Sequence, residues 1–379
     1  MRPNKPFLGT PEEGVYVIIK RTAAIAAIAA MATAGLVGCG SSDDKSGGKS
    51  GAKAKAKVGI ILPDTKSSVR WENFDLPVLK KAFQAAGIPA DIQNAEGDKQ
   101  RMQTIADQMI TSGVTILAIV NLDSNSGAAI ESKAKAQGVQ TVDYDRLTLG
   151  GSADYYVSFD GVQVGRVQGE GLQKCLGDKA SNIVYLNGSP TDNNATLFKQ
   201  GAHEVLDKVS NYKKVAEQDV PDWDNQKAAT IFEQMYTQQK GKIDGVLAAN
   251  DGLGNAAVSI LKKNSVAGKV PVTGQDATVQ GLQNVLDGTQ CMTVYKPNKL
   301  EADSLVQVVT ALAQGQKPKT TATANDPQGH RQVASILLNP IGITKDNVKQ
   351  VITDGGSGIT AADVCKGGYA AKCKAAGIQ

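Results

Sequence analysis

The sequence predicts an α/β protein built from two doubly wound, mostly parallel-sheet lobes. Three observations carry this. Short apolar runs alternate with segments of helical period, the connections between them are short, and the whole pattern restarts after about residue 180. Strand–helix alternation of this kind means parallel sheets covered on both faces. At 379 residues the chain is also too long for one small core and suits two domains.

The elements follow in order. "AKVGIIL" (56–62) reads as a buried strand. Residues 72–86 form a helix with Phe74, Val78 and Phe83 at helical spacing, stopped by Gly87. "IPADIQNA" is the next strand, residues 100–112 a helix with Met102, Ile105, Met109 and Ile110 on one side, "VTILAIV" a strand, 126–137 a helix and "VQTVDYD" a strand. The second half repeats the scheme. "NIVYLN" is a strand, 195–209 a helix, "YKKVAEQDV" a strand, 225–239 a helix, "IDGVLAAN" a strand, 255–264 a helix and "VPVTGQD" a strand. Laying "VTILAIVNLDSNSGAAI…GVQTVDYDR" over "IDGVLAANDGLGNAAV…KVPVTGQDA" brings Asp145 close to Asp276.

Doubly wound sheets bind ligands beyond the carboxyl ends of their strands, and the polar clusters of this chain fall there. They are "RWEN" (70–73), "DYDR" (143–146), "GSPTDNN" (188–194), "PDWDN" (221–225), "AAND" (248–251), "GQD" (274–276) and, after a further strand, "TVYKP" (293–297). Taken as a set they suit a ring bearing hydroxyls. Trp71 and Trp223, the only tryptophans, come from opposite halves and offer flat apolar faces to sandwich it. Asp145, Asp192 and Asp276 accept hydroxyl protons; Arg70, Arg146 and Lys296 donate; Asn194 and Asn250 do both. Charge-assisted hydrogen bonds of this type contribute roughly 1.5–3 kcal/mol each. Each residue also has a plainer role available. Trp71 could only pack, Asp145 and Arg146 could pair structurally, Asp192, Asn194 and Asn250 could only cap helices, and Lys296 could be a solvated residue before Pro297.

Composition narrows the classes. The formal charge is +4, two units of which reside in residues 1–38, where Arg2, Lys5, Lys20 and Arg21 face Glu12 and Glu13, so nothing favours nucleic acid. Two histidines, His203 and His330, and no Cys-x-x-Cys spacing argue against a metal site, and no cofactor is expected. Lys20 and Arg21 precede an apolar run at 22–34 that ends in "GLVGC", the layout of an export signal covering 1–38 and too short for a membrane span. "LVGC" resembles a bacterial lipobox, which implies lipidation of Cys39 and an anchor to the outer face of the cell membrane. Residues 39–55 read as a Ser/Gly/Lys tether. Residues 1–16 fit this signal poorly, and translation is expected to start at Val17. The four remaining cysteines suit an oxidising compartment. Cys365 and Cys373 close a short loop and are paired, which leaves Cys175 with Cys291; four free thiols are the alternative.

With these residues assembled, the chain resembles the type I periplasmic sugar-binding proteins of ABC transporters, and among them the xylose-binding and multiple-sugar-binding proteins. The stretches that carry the resemblance are "TKSSVRW", "VDYDR", "SFDGVQVG", "GSPTDNNA", "VTGQDA" and "GTQCMTVYKP", within a likeness running from Ala56 to about Gly355. It implies two lobes joined by three hinge strands. The N-terminal lobe would comprise 56–158 and 297–333, and the C-terminal lobe 159–296 and 334–379. By motif, Arg70, Trp71, Asp145, Arg146, Asp192, Asn194, Trp223, Asn250, Asp276 and Lys296 fall on the family's binding positions. The segment with Cys365 and Cys373 extends beyond the family's usual end. The expected protein is therefore a monomeric receptor, not an enzyme. It would close on a monosaccharide, xylose first and otherwise a glucose- or galactose-like aldose, and deliver it to ABC permease subunits. A sensor that reports sugar to a membrane receptor, and an exported carbohydrate-active enzyme, are the alternatives. A sugar-responsive transcription regulator would need a DNA-binding segment where the lipobox lies.

Overall fold

In the computed structural model, the described residues are 56–378. The export signal, Cys39 and the tether, expected in 1–55, lie outside them.

The first half runs β1 (Val58–Leu62), α1 (Leu76–Ala85), β2 (Ala90–Asn94), α2 (Lys99–Thr111), β3 (Ile116–Ile119), α3 (Ser124–Ala136), β4 (Gln140–Tyr144) and β5 (Tyr155–Phe159). The second runs α4 (Gly161–Leu176), β6 (Ser181–Asn187), α5 (Asn193–Leu206), β7 (Tyr212–Asp219), α6 (Asn225–Gln238), β8 (Gly245–Ala248), α7 (Asp251–Lys263), α8 (Val279–Asp287) and β9 (Thr293–Tyr295). The chain then returns to the first lobe with α9 (Asn298–Ala313), β10 (Ala322–Asp326) and β11 (Arg331–Leu338). It ends with β12 (Ile341–Ile343), α10 (Lys349–Thr353), α11 (Ala361–Val364) and α12 (Ala370–Ala375).

The N-terminal sheet has the order β10-β11-β5-β4-β3-β1-β2, parallel except for the β10–β11 pair. Both of its faces are covered, and the period of two sorts its side chains. Val58, Ile60 and Leu62 of β1 pack with Leu79, Phe83, Leu305 and Val308 on one side, whereas Ile61 packs with Met102, Ile105 and Met109 on the other. The C-terminal lobe repeats this around β7-β6-β8, with Val184 and Leu186 on one face and Ile183 and Tyr185 on the other. Helices α4 and α5 cross with their backbones in near contact. A Cβ added at Gly165 would lie 2.8 Å from the Phe198 carbonyl carbon, and one at Gly201 2.8 Å from the Arg166 nitrogen. Only glycine permits that approach.

The structure departs from the sequence reading at four places. Residues 71–75 form a π-helical turn ahead of α1. Helix α7 begins at Asp251, because the Asn250 side chain accepts from Leu253 N and caps it there. "VPVTGQD" holds only isolated bridges, Ala267 to Val270, Val246 to Val272 and Gln275 to Val294. Pro271 has no N–H to give, and the Thr273 hydroxyl takes the place of a ladder bond, lying 2.9 Å from both the nitrogen and the oxygen of Ala248. Finally, β11 stays paired with β5 through Leu338, and β12 pairs with β9 in the other lobe. The third crossing therefore falls after Leu338, beyond the expected boundary between 333 and 334. The other two crossings follow Phe159 and Tyr295. Cys175 is joined to Cys291, and Cys365 to Cys373.

Candidate functional site

The strand ends of both lobes meet at one small cavity. All ten residues singled out from the sequence line it: Arg70, Trp71, Asp145, Arg146, Asp192, Asn194, Trp223, Asn250, Asp276 and Lys296. Sequence reasoning missed Ser67, Ser68, Phe198 and Gln275, which line it too. Each lay close to a signal. Phe198 is one helical turn beyond Asn194, Gln275 precedes Asp276, and the two serines lie inside "TKSSVRW".

Local backbone geometry aims these side chains. Asp145 and Asp276, which the internal repeat brings close together, both have positive φ, 61° and 95°. Trp223 shares this at 55°. Such conformations in non-glycine residues cost about 1 kcal/mol or more and persist where surrounding bonds impose them. At Asp145 those bonds are visible. Its nitrogen donates to Val157 O at 2.8 Å, and its carbonyl accepts from Tyr156 Oη at 3.0 Å and Ser158 Oγ at 2.8 Å.

Capping and cavity-lining turn out to be combined. Asp192 caps α5 through Oδ1, which accepts from Asn194 N at 2.9 Å, while Oδ2 accepts from Trp223 Nε1 and Arg146 Nε, both at 3.0 Å. Asn250 caps α7 and also donates to Ser67 O at 3.2 Å. The Trp223 indole passes over Gly188, where even a methyl group would overlap its ring. Trp71 donates to Ser67 Oγ at 3.1 Å, and the guanidinium groups of Arg70 and Arg146 lie 4.3 and 5.4 Å from its ring centre.

Charge is balanced at the cavity wall, with Arg70, Arg146 and Lys296 against Asp145, Asp192 and Asp276. Asp145 is the centre. Its Oδ2 accepts from Arg70 Nη1 at 2.8 Å and Lys296 Nζ at 3.3 Å, and its Oδ1 from Asn194 Nδ2 at 3.1 Å. Burial alone would raise this carboxyl, but the charges of Lys296, Arg70 and Arg146 outweigh it and hold Asp145 well below the usual carboxylate range. Lys296 also faces Asp276 at 3.7 Å, and Ser68 Oγ donates to Asp276 Oδ2 at 2.7 Å across the cleft. Asn194 Oδ1 is buried without a hydrogen-bond partner among the described residues. The lobes thus touch directly around a small, polar, aromatic-walled space.

Two doubly wound lobes, three crossings and a site shared between strand ends define a two-lobed solute-binding protein. The chain belongs to the periplasmic binding proteins: the family described as "Periplasmic binding protein domain" matches residues 58–317. It is 34% identical to the D-xylose-binding periplasmic protein of Escherichia coli, over 79% of this chain and 91% of that protein. With the multiple sugar-binding periplasmic receptor ChvE of Rhizobium radiobacter it shares 32% identity over 80% and 90%. Among solved structures, the carbohydrate transporter solute binding protein of Chloroflexus aurantiacus in complex with D-glucose superposes with a TM-score of 0.74 at 28% identity, covering 81% of this chain and 97% of that one. The resemblance read from the motifs therefore holds, as does the fold class.

Proposed function

We propose that this protein captures a monosaccharide between its lobes and delivers it to an ABC importer. D-xylose is the first candidate and a glucose- or galactose-like aldose the second. The observation that carries the reading is the convergence of both tryptophans with three cation–carboxylate partners on one cavity. A sugar ring has apolar C–H faces that suit indole and an equator of hydroxyls that both accept and donate. Balanced wall charges suit a neutral ligand. The relatives and the neighbour named above carry xylose, several sugars and glucose in their descriptions.

The cycle makes and breaks no covalent bond. An open form exposes a half-site on each lobe, the sugar bridges them, and the population shifts to the closed form that a permease engages. Cys39, once lipidated, would hold a monomeric receptor at the outer face of the membrane. The test is a thermal-shift screen over xylose, glucose, galactose, arabinose and ribose, followed by calorimetry of Trp223→Ala and Asp276→Ala. Each variant should lose affinity 10-fold or more, about 1.4 kcal/mol. Unaltered binding in both would remove the site.

A further inference from the structure

Arg70 is the cavity residue with the most elaborate support, and the supporting groups lie outside the cavity. Its Nε donates to Asp75 Oδ2 at 2.7 Å, and Nη2 donates to Asp75 Oδ1 and to Glu301 Oε2, both at 2.8 Å. Nη1 donates to Asp145 Oδ2 at 2.8 Å. A guanidinium has five N–H groups in a fixed fork. Four are engaged among the described residues, and the fifth, on Nη1, is left beside the Asp145 carboxylate at the cavity wall. Neither Asp75 nor Glu301 lines the cavity, and both are fully buried.

Two local devices bring these carboxylates in. The π-helical turn at 71–75 winds with i→i+5 periodicity, so residue 75 returns over residue 70, where an α-helical turn would return 73 or 74. The first turn of α9 supplies the rest: Asn298 Nδ2 donates to Asp75 Oδ2 at 2.9 Å, and Glu301, three residues on, reaches Arg70. That turn directly follows the crossing segment that carries Lys296 into the cavity.

We propose that Asp75 and Glu301, steadied by Asn298, are positioning residues that lock the Arg70 fork so that one Nη1 hydrogen, paired with the Asp145 acceptor, reads a hydroxyl or ring oxygen of the bound ligand. The proposal rests on the sugar-binding reading above. Burial, reinforced by the Asp145 charge, raises the Glu301 carboxyl well above its ordinary range, and the contact that fixes the fork is the acceptor Oε2, 2.8 Å from Arg70 Nη2. This separates positioning from packing. Leucine roughly fills the buried volume of Glu301 without an acceptor, and because it removes one partner of a buried ionic contact and leaves an Arg70 N–H unpaired, it lowers stability as well. Glutamine keeps the acceptor.

The experiment titrates, by calorimetry, the aldose giving the largest thermal shift in the five-sugar screen into wild type, Glu301→Leu, Glu301→Gln, Arg70→Ala and the double variant Arg70→Ala/Glu301→Leu. Expected, with titrations run well below the lowered apo melting temperature of Glu301→Leu, are a 10-fold or greater loss of affinity for that variant, recovery to within threefold of wild type for Glu301→Gln, and no further loss in the double variant beyond that of Arg70→Ala. Glu301→Leu binding within twofold of wild type, or losses that add in the double variant, would overturn the proposal while leaving the site intact. No shift with any sugar, or no effect of Arg70→Ala, would instead sink the functional reading beneath it. Should Glu301→Leu not fold, Asn298→Ala takes its place, with a several-fold loss expected in the wild-type background and none in the Arg70→Ala background. Equal losses in both backgrounds, or none in either, count against the proposal.

Discussion

Gly188→Ala is the sharpest probe of the site because it adds one methyl group and no charge. Gly188 directly follows β6 and has no positive φ, so alanine meets no left-handed backbone penalty there. The added Cβ would instead lie 2.5 Å from Trp223 Cζ3 and nearer still to two other ring atoms. Ordinary carbon–carbon contact is about 3.5 Å, so the indole must retreat by at least about 1 Å. Trp223 is buried in the C-terminal core beside Phe198 and is tied to Asp192 Oδ2 at 3.0 Å. Such a retreat stretches that bond beyond hydrogen-bonding distance and shifts the cavity wall. The broken bond lowers stability, whereas the displaced indole face is what the ligand loses, so Kd should rise 10-fold or more, about 1.4 kcal/mol, as for Trp223→Ala. Calorimetry with the sugar selected by the thermal-shift screen measures it, and far-UV circular dichroism checks that the helices and sheets are retained. A Kd within twofold of wild type, with that fold retained, would refute the claim that the Trp223 position sets the site.

The two disulfides should differ in weight. Cys175–Cys291 spans 116 residues and Cys365–Cys373 only 8, so in the chain-entropy picture their removal by paired Ser substitutions costs about 4–5 and about 2–3 kcal/mol respectively. Urea melts giving the reverse order would contradict this. Asp251, raised by burial to about 6 despite accepting from Gln290, Thr293 and Thr278, should make stability fall with pH. Below about pH 4 it is protonated in both folded and unfolded chains. As pH rises from about 4 to 6 only the unfolded chain ionises, costing the fold on the order of 3 kcal/mol, and above about 6 the loss is complete. The stability difference between wild type and Asp251→Asn should shrink across that window, and a difference independent of pH would show that Asp251 is not its source.

Much of the site was legible because it is built at strand ends. Each polar cluster follows an apolar run, and the same side chains that end a strand start the next helix, as Asp192 and Asn250 do by capping α5 and α7. Capping as a rival to ligand contact was a false choice, since one carboxylate oxygen of Asp192 serves the helix and the other faces Trp223 and Arg146. Asp75 and Glu301 carried no such mark. One depends on a π-helical turn that no residue pattern announced, and the other sits in an ordinary amphipathic helix.

What the sequence by itself determined was local: the alternation of buried strands and helices, the repeat that brings Asp145 close to Asp276, and the polar ends where a ligand belongs. Those signals need only neighbours a few residues away. The tertiary structure alone decided which charges meet. Arg70 and Glu301 are 231 residues apart, and Asp145 reaches Lys296 only because the chain crosses between lobes after Tyr295. Buried ionic partners must find one another over such distances or leave a charge unpaired away from water. Their pairing is therefore a property of the closed fold that no local window contains.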